Sequence, residues 1–527
     1  MESHIAATIP TSSLDDAVCE KARLSRDPRF DGLFFTAVSS TGIYCRPICP
    51  APAPRRENVR YYRHAAQAES AGYRPCLRCR PELSPGDPDR QRGDSILAQA
   101  LRLIDDGALD DAPLSDVANR IGLGERQLRR VFVDQLGATP TQVNATRRLL
   151  FAKQLLTETT LPVTDVAMAA GFASLRRFNA AFRDAYRLAP RELRRQREDD
   201  VHERVAGDVL RLQLAFRPPC DFNGLLDFFR IRALPGVEVV DGDSYARSIG
   251  SGNKPAWFRL TRSDREAASL QLELHGVATS ELRGVVSRIR RQFDLDADPS
   301  AIRAGLSADP AMRRRLKRAP GLRIPGAWDG FEISVRAVLG QQVSVAAART
   351  LASRLVERFG ERMDGAKDIG LSHRFPAAAA LAEADVASVG VTRTRAATIQ
   401  GIARAVVDGR VGFSHQPSLD DFVDSWTALP GIGPWTASYI ALRGLGHPDA
   451  FLDGGLILRR AASDSDAALS IRKLRERAEC WRPWRGYAVF HLWRDVPPPV
   501  ERRTTPKPAK SRTPTSRSSR PANRSAT

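Results

Sequence analysis

Cysteine is scarce in this chain, seven among 527 residues, and that scarcity excludes a small scaffold stapled by disulfides. Long apolar runs are also missing. No stretch reaches the roughly 20 residues that a membrane-crossing helix needs. The opening MESHIAATIP has neither the basic start nor the apolar run of a secretory signal, so a cytoplasmic protein with no membrane partner is expected. Acidic residues fall short of basic ones, 61 Asp+Glu against 80 Lys+Arg, for a formal net charge of +19. That surplus favours nucleic acid or another polyanion as partner. A chain of this length should divide into several domains.

Four of the cysteines form two close pairs, Cys45 and Cys49 in CRPIC and Cys76 and Cys79 in CLRC. Two thiol pairs separated by a loop are how a short chain offers four soft ligands to one tetrahedral Zn²⁺. The bland alternative is two unrelated thiol pairs in a reducing cell. The surrounding segments, DPRFDGLFFTAVSSTGIYCRPICP, RRENVRYY and AGYRPCLRCRP, resemble the methylphosphotriester-repair domain of the bacterial Ada family. The resemblance implies that Cys45 is both zinc ligand and nucleophile. A zinc-bound thiolate stays deprotonated at neutral pH and can attack a methyl group on a DNA phosphotriester. It also implies a single-turnover transfer. Methylation would remove one negative charge facing DNA phosphates and so strengthen DNA binding.

Taken in order, residues 1–15 are expected to be a loose leader and 16–83 the small α+β zinc domain, with strands at Gly32–Val38 and Val59–Tyr62. The turn-rich stretch Leu83–Asp94 should link it to the next domain. Residues 95–195 read as all-α with two helix-turn-helix candidates, Leu114–Phe132 and Val163–Phe182. Each has small apolar residues on its first helix, a turn glycine (Gly122, Gly171) and a basic second helix. That is the physical form of a major-groove reader. An apolar helix around Arg147–Leu156 would hold the two apart. The pair resembles the AraC-type DNA-binding domain. Arg126, Arg129 and Arg130 lie on the first candidate recognition helix, and Arg176, Arg177 and Arg183 on the second. All six are expected to face DNA.

Residues 208–318 change to an α+β pattern. Strands are expected in LRLQLAFRPP, at Gly236–Val240 and at Leu270–Gly276, with a helix in FNGLLDFFRIRAL. This block resembles the N-terminal domain of AlkA-type DNA glycosylases. Residues 319–498 return to helices, including the long stretch Phe331–Leu355. In LPGIGPWTASYIALRGLG, Gly431 and Gly433 allow a tight hairpin to approach a DNA phosphate before a helix start. With GQQVS upstream and WRPWRGYAVFHLW downstream, this resembles the helix-hairpin-helix glycosylase superfamily, whose hairpins hold a monovalent cation. Residues 499–527, rich in Pro, Ser and Arg, are expected to be a disordered basic tail.

A glycosylase pulls its target base out of the duplex into a pocket. The resemblance places the pocket aromatics at Trp435, Tyr439 and Trp493, and the substrate as 3-methyladenine and related alkylated bases. It also exposes a departure. In DAFLDGGLILRRA the family's catalytic aspartate falls on Gly455, and the nearest acid is Asp453. Two expectations follow: Asp453 takes over as the catalytic carboxylate, or the C-terminal half binds damaged DNA without turnover. No PCHR-type second methyl-acceptor motif occurs, so repair of O6-methylguanine is not expected. Together the parts imply a zinc-dependent methyl acceptor, an activator bound to promoter DNA with RNA polymerase as a further partner, and a base-excision half. The protein would be bacterial and associated with the nucleoid.

Overall fold

The computed structural model describes residues 15–87, 95–110, 112–198, 209–250, 255–264, 267–413, 418–463 and 467–495. All of the expected leader except Asp15, part of each interdomain linker and the basic tail lie outside the described residues.

The N-terminal module opens with helix Asp16–Ser25, whose first turn is capped by the Asp15 carboxylate accepting from the Ala17 N–H. Four short strands follow, in the sheet order Val59–Tyr62, Phe35–Val38, Ile43–Cys45, Arg74–Pro75. The strand expected from Gly32 begins at Phe35, because Gly32 adopts φ +75° and turns the chain. The last two strands run parallel, Ile43 opposite Arg74 and Tyr44 opposite Pro75.

Both helix-turn-helix units are present. Helices Leu114–Arg120 and Glu125–Leu136 form the first, Val163–Ala169 and Leu175–Tyr186 the second. Their turn glycines have φ +72° at Gly122 and +81° at Gly171, a region that favours glycine. Between them runs helix Pro140–Glu158, longer than the apolar pattern indicates because Thr139 and Gln142 close a capping box at its start. The two units are buried differently. The first packs Val117, Ala118, Leu128 and Phe132 into a small core with helix Ile96–Asp105 and Ala66 of the zinc module. The second shares its core, with Val166, Phe178, Phe182 and Tyr186 continuous with Leu212, Phe258 and Leu272 of the next domain.

That next domain is a five-stranded antiparallel sheet in the order Val209–Ala215, Ser269–His275, Ala256–Arg262, Ser244–Ile249, Glu238–Asp241. Helices Phe222–Arg230 and Leu282–Gln292 accompany it. Ser244–Ile249 and Ala256–Arg262 were not among the expected strands. The first is buried at nearly every position and therefore shows no apolar alternation.

The C-terminal helices enclose one large core around Val338, Trp426, Leu442 and Trp481. The stretch Phe331–Leu355 is two helices, Gly330–Leu339 and Val345–Phe359. Gln342 breaks it with φ +56°, and the Ser344 side chain caps the restart by accepting from Ala347 N–H.

Candidate functional site

The parallel strand pair builds the sulfur cluster. Cys45 ends one strand and Cys76 follows the other, tied by the Cys76 N–H donating to the Tyr44 carbonyl at 2.9 Å. A turn from Arg46 O to Cys49 N–H, 3.1 Å, brings Cys49 back to the same place. All four sulfurs lie within 4.8 Å of one another. Tetrahedral zinc with Zn–S of about 2.3 Å needs sulfurs roughly 3.8 Å apart, so the donor set fits. Cys76 and Cys79 are buried, whereas Cys45 and Cys49 are half-buried and reachable. The thiols also oppose one another. Hydrogen bonds from its three neighbours push Cys79 far up, and the same contacts hold Cys76 far down. Four thiolates at this spacing require a cation. Arg46 braces the cluster: its N–H donates to Cys79 Sγ at 3.3 Å and its guanidinium to the Asp31 carboxylate and the Cys79 carbonyl.

Arg126, Arg129, Arg130, Arg176, Arg177 and Arg183 are all exposed on the two second helices. Arg129 pairs with Glu125 at 2.7 Å and Arg130 with Asp134 at 3.5 Å, both solvent-facing. Screened pairs of this kind hold little and can be exchanged for phosphate.

In the C-terminal helical domain the hairpin Leu429–Gly433 joins helices Leu419–Thr427 and Pro434–Ile440. Gly431 has φ +86°, and a Cβ there would stand 2.1 Å from Thr398 Oγ1, so only glycine fits. Gly433 is the N-cap before Pro434, and its Cβ direction is open. Trp435 and Tyr439 lie nearly parallel in an offset stack, centroids 5.4 Å apart and planes at 7°. The Tyr439 hydroxyl accepts from buried Arg443 at 2.8 Å. Burial works to raise the Tyr439 phenol, yet Arg443, Arg232 and Arg336 together hold it below the ordinary tyrosine value.

Trp493 meets this pair indirectly. It sits edge-on to Phe490, 5.3 Å between centroids, Phe490 meets Phe228 at 5.7 Å, and Arg443 lies 4.7 Å from the Phe228 ring. Sequence reading missed Phe228 and Arg443. The position of Arg443 four residues beyond Tyr439, on the same face, was the available signal.

Gly455 is the N-cap of helix Leu456–Ala461 with an ordinary φ of −70°. A Cβ there would lie 3.3 Å from Trp435 Nε1, so a side chain at 455 would face the stacked pair. Asp453 is engaged elsewhere, ion-paired with Arg475. Asp449 is buried and held by Arg482 at 2.5 Å and Arg485 at 2.7 Å.

Four family models match the chain in order. They are the metal binding domain of Ada at residues 18–82, a helix-turn-helix domain at 117–196, the AlkA N-terminal domain at 211–329 and the HhH-GPD superfamily of base excision DNA repair proteins at 335–486. A Mycobacterium tuberculosis protein named probable bifunctional transcriptional activator/DNA repair enzyme AlkA is 39% identical over 484 residues, covering 92% of this chain and 97% of that one. The chain belongs to this bifunctional AlkA family. Partial relatives divide along the same seam. DNA-3-methyladenine glycosylase 2 of Escherichia coli is 33% identical over 283 residues, 53% of this chain and 95% of that protein. The Escherichia coli bifunctional activator and repair enzyme Ada is 40% identical over 117 residues, 22% of this chain and 32% of that protein. The bifunctional family thus joins an Ada zinc-binding domain and a helix-turn-helix domain to a complete glycosylase fold. Among the described residues no helix is long and apolar enough to cross a membrane.

Proposed function

We propose that this chain is an alkylation-response protein that accepts a methyl group from DNA on Cys45, binds promoter DNA through its paired helix-turn-helix units, and receives alkylated bases in its C-terminal half. The four-sulfur cluster with a half-buried Cys45 carries the reading. Cys45, Cys49, Cys76 and Cys79 would hold Zn²⁺, which when bound keeps the sulfurs ionised. Cys45 Sγ then forms a bond to the methyl carbon, the carbon–oxygen bond breaks, and the electron pair leaves on the phosphate oxygen. The protein retains a thioether, which makes the transfer single-turnover. Methyl uptake from methylated duplex DNA tests it: uptake near one per chain is expected, and none from Cys45→Ala. Uptake that persists in Cys45→Ala would overturn the assignment.

For the C-terminal half the reading is binding with slow or absent excision. Trp435 and Tyr439 offer aromatic faces to an electron-poor alkylated ring, and Gly433 leaves the hairpin open to a phosphate. The reactive carboxylate is what is short. Position 455 faces Trp435 without one, and Asp453 is engaged by Arg475. The second reading, relocation of catalysis to Asp453, would require that ion pair to open. Single-turnover excision separates the two. Strong activity lost in Asp453→Asn supports relocation, and negligible activity gained in Gly455→Asp supports a silenced site.

A monovalent cation on the hairpin carbonyls belongs to the same reading, with the Gly431 carbonyl already accepting from the Gln341 side chain at 3.1 Å. Contact with RNA polymerase and association with the nucleoid follow from the activator role.

A further inference from the structure

Helix Pro140–Glu158 joins the two helix-turn-helix units, yet it buries a charge where it meets the zinc module. Lys153 is fully enclosed. Its ammonium donates to a Glu82 carboxylate oxygen at 2.6 Å and to the Cys76 carbonyl at 3.2 Å. It also lies 5.8 Å from the ring centroid of Tyr186. Cys76 is one of the four sulfur ligands, and Tyr186 ends the second recognition helix, Leu175–Tyr186. One buried cation is therefore hydrogen-bonded to the metal knuckle and lies within cation–π range of the last residue of the recognition helix.

A leucine or methionine would fill the same space without the several kcal/mol that desolvating an ammonium costs. The surroundings are arranged to keep the charge. The Glu82 side chain is fully buried and is shared with Arg80 at 3.1 Å, and Arg80 reaches Glu158 of the same long helix at 2.6 Å. The strand bearing Cys45 is tied to that helix as well: the Tyr44 hydroxyl donates to Glu69 at 2.8 Å, and Glu69 also accepts from the Thr146 hydroxyl. Leu77, between the second pair of cysteines, packs into the core that holds Phe178, Phe182 and Tyr186. Both cysteine-bearing segments are thus tied to the helix that spaces the DNA readers, one directly through Lys153 and the other through Glu69.

We propose that Lys153 is a positioning residue that couples the four-cysteine centre to the second helix-turn-helix unit. It fixes the carbonyl of Cys76 on one side and the C-terminal end of the recognition helix on the other. A shift of the knuckle when Cys45 changes its ligand character therefore reaches the DNA-reading helix through one ammonium. This rests on the reading of Cys45 as methyl acceptor and adds a mechanical path to the loss of charge.

The test uses the full zinc-loaded chain, Lys153→Met and Lys153→Arg, and a duplex selected from a random pool by methylated wild-type chain. Two quantities are read: zinc affinity by chelator competition, and the ratio of duplex affinities after and before methylation. Loss of a supporting contact behind a metal ligand commonly weakens binding about 10–100-fold, and that loss is expected for Lys153→Met. The wild-type ratio, on the order of 5–150 for coupled sites, should fall toward 1 in Lys153→Met and recover in Lys153→Arg. A ratio unchanged in Lys153→Met overturns the proposal, even if zinc affinity falls. If Lys153→Met does not fold, Lys153→Gln keeps a donor near the Cys76 carbonyl without the charge and reads the same ratio. A wild-type chain that takes up no methyl would sink the functional reading instead. Zinc affinity would then still decide whether Lys153 supports the knuckle.

Discussion

At the metal centre four ligands arrive on two strand ends and the turns beyond them, all between Cys45 and Cys79. At the proposed base site Trp435, Tyr439 and Arg443 come from one helical segment, Phe228 from a helix of the preceding domain and Trp493 from the last described helix. The first centre is a local object, and each ligand is needed for the others to have a partner. The second is a scaffold of distant parts into which one reactive group must be set. Such a scaffold tolerates loss of that group. Position 455 asks nothing special of the backbone, with φ −70°, so on the proposed reading glycine there would remove chemistry and leave the packing intact. Where chemistry and folding share residues, as in the sulfur cluster, silencing one would unfold the other.

The largest expected effect breaks the metal centre. Cys76→Ala or Cys79→Ala should abolish zinc retention and unfold residues 16–83, because structural zinc supplies folding free energy outright. Cys45→Ala should abolish methyl uptake. Metal content by mass spectrometry and helical signal before and after chelation measure both. Base binding by the C-terminal half should survive these substitutions. If chelation also removed that binding, the centres would not be independent, and the contrast between them would fail.

Next in size is Gly455→Asp. An electrostatic group that acts on the transition state commonly contributes about 10²–10³ in rate. Single-turnover excision from alkylated duplex should rise by that order. Aspartate is also a slightly better N-cap than glycine, so the fold should gain about a few tenths of a kcal/mol. No gain in rate would mean that the catalytic group lies elsewhere.

The sequence made the first centre legible and the second only in part, for reasons visible in particular residues. Two cysteine pairs announce themselves because no other element needs four thiols. The turn glycines Gly122 and Gly171 and the hairpin glycine Gly431 were legible because each does need a positive φ. Gly455 was legible only as a departure from a family frame, since its φ of −70° would suit any residue. Arg443 and Phe228 stayed hidden because their role depends on contact across two domains. Ser244–Ile249 stayed hidden because a strand covered on both faces loses its period of two. The sharing of a core between the second helix-turn-helix unit and the sheet has no signature in either segment alone.

A third test asks whether the scaffold is held from within. His491 is buried in helix Arg485–Arg494, two residues before Trp493. Burial pushes its imidazole down to about 4, and Arg494 and Arg315 add to that against Asp495. The unfolded chain takes up this proton near pH 6.5, whereas the folded chain resists it. The contribution is therefore full above about pH 6.5 and is lost as pH falls from there through 4. Between pH 6.5 and 5 it amounts to about 2 kcal/mol. Urea unfolding of the C-terminal half should show this loss, and His491→Phe should be flatter by that amount. Equal slopes would place the acid sensitivity in other groups.

The smallest expected effect is the most discriminating for the proposed role of position 455. Gly455→Ala adds a methyl group where the Cβ direction lies 3.3 Å from both Trp435 Nε1 and the Leu452 carbonyl. The neighbours must give by a few tenths of an ångström. Alanine is a poorer N-cap than glycine, which costs about 0.5 kcal/mol. The unfolded chain loses freedom at an allowed φ, which returns about 0.4–1 kcal/mol. Net stability should stay within about 0.5 kcal/mol, with excision unchanged from wild type. Gly431→Ala is the contrasting substitution, because φ +86° and Thr398 Oγ1 at 2.1 Å both oppose a Cβ. It should cost well over 1 kcal/mol and weaken DNA binding at the hairpin. A silent Gly455→Ala beside an active Gly455→Asp would show that the missing carboxylate, not the added side chain, limits the reaction. If Gly455→Ala instead destabilised the chain as much as Gly431→Ala, glycine at 455 would be kept for close packing against Trp435, and the pocket would resemble the metal centre in needing its residue to fold.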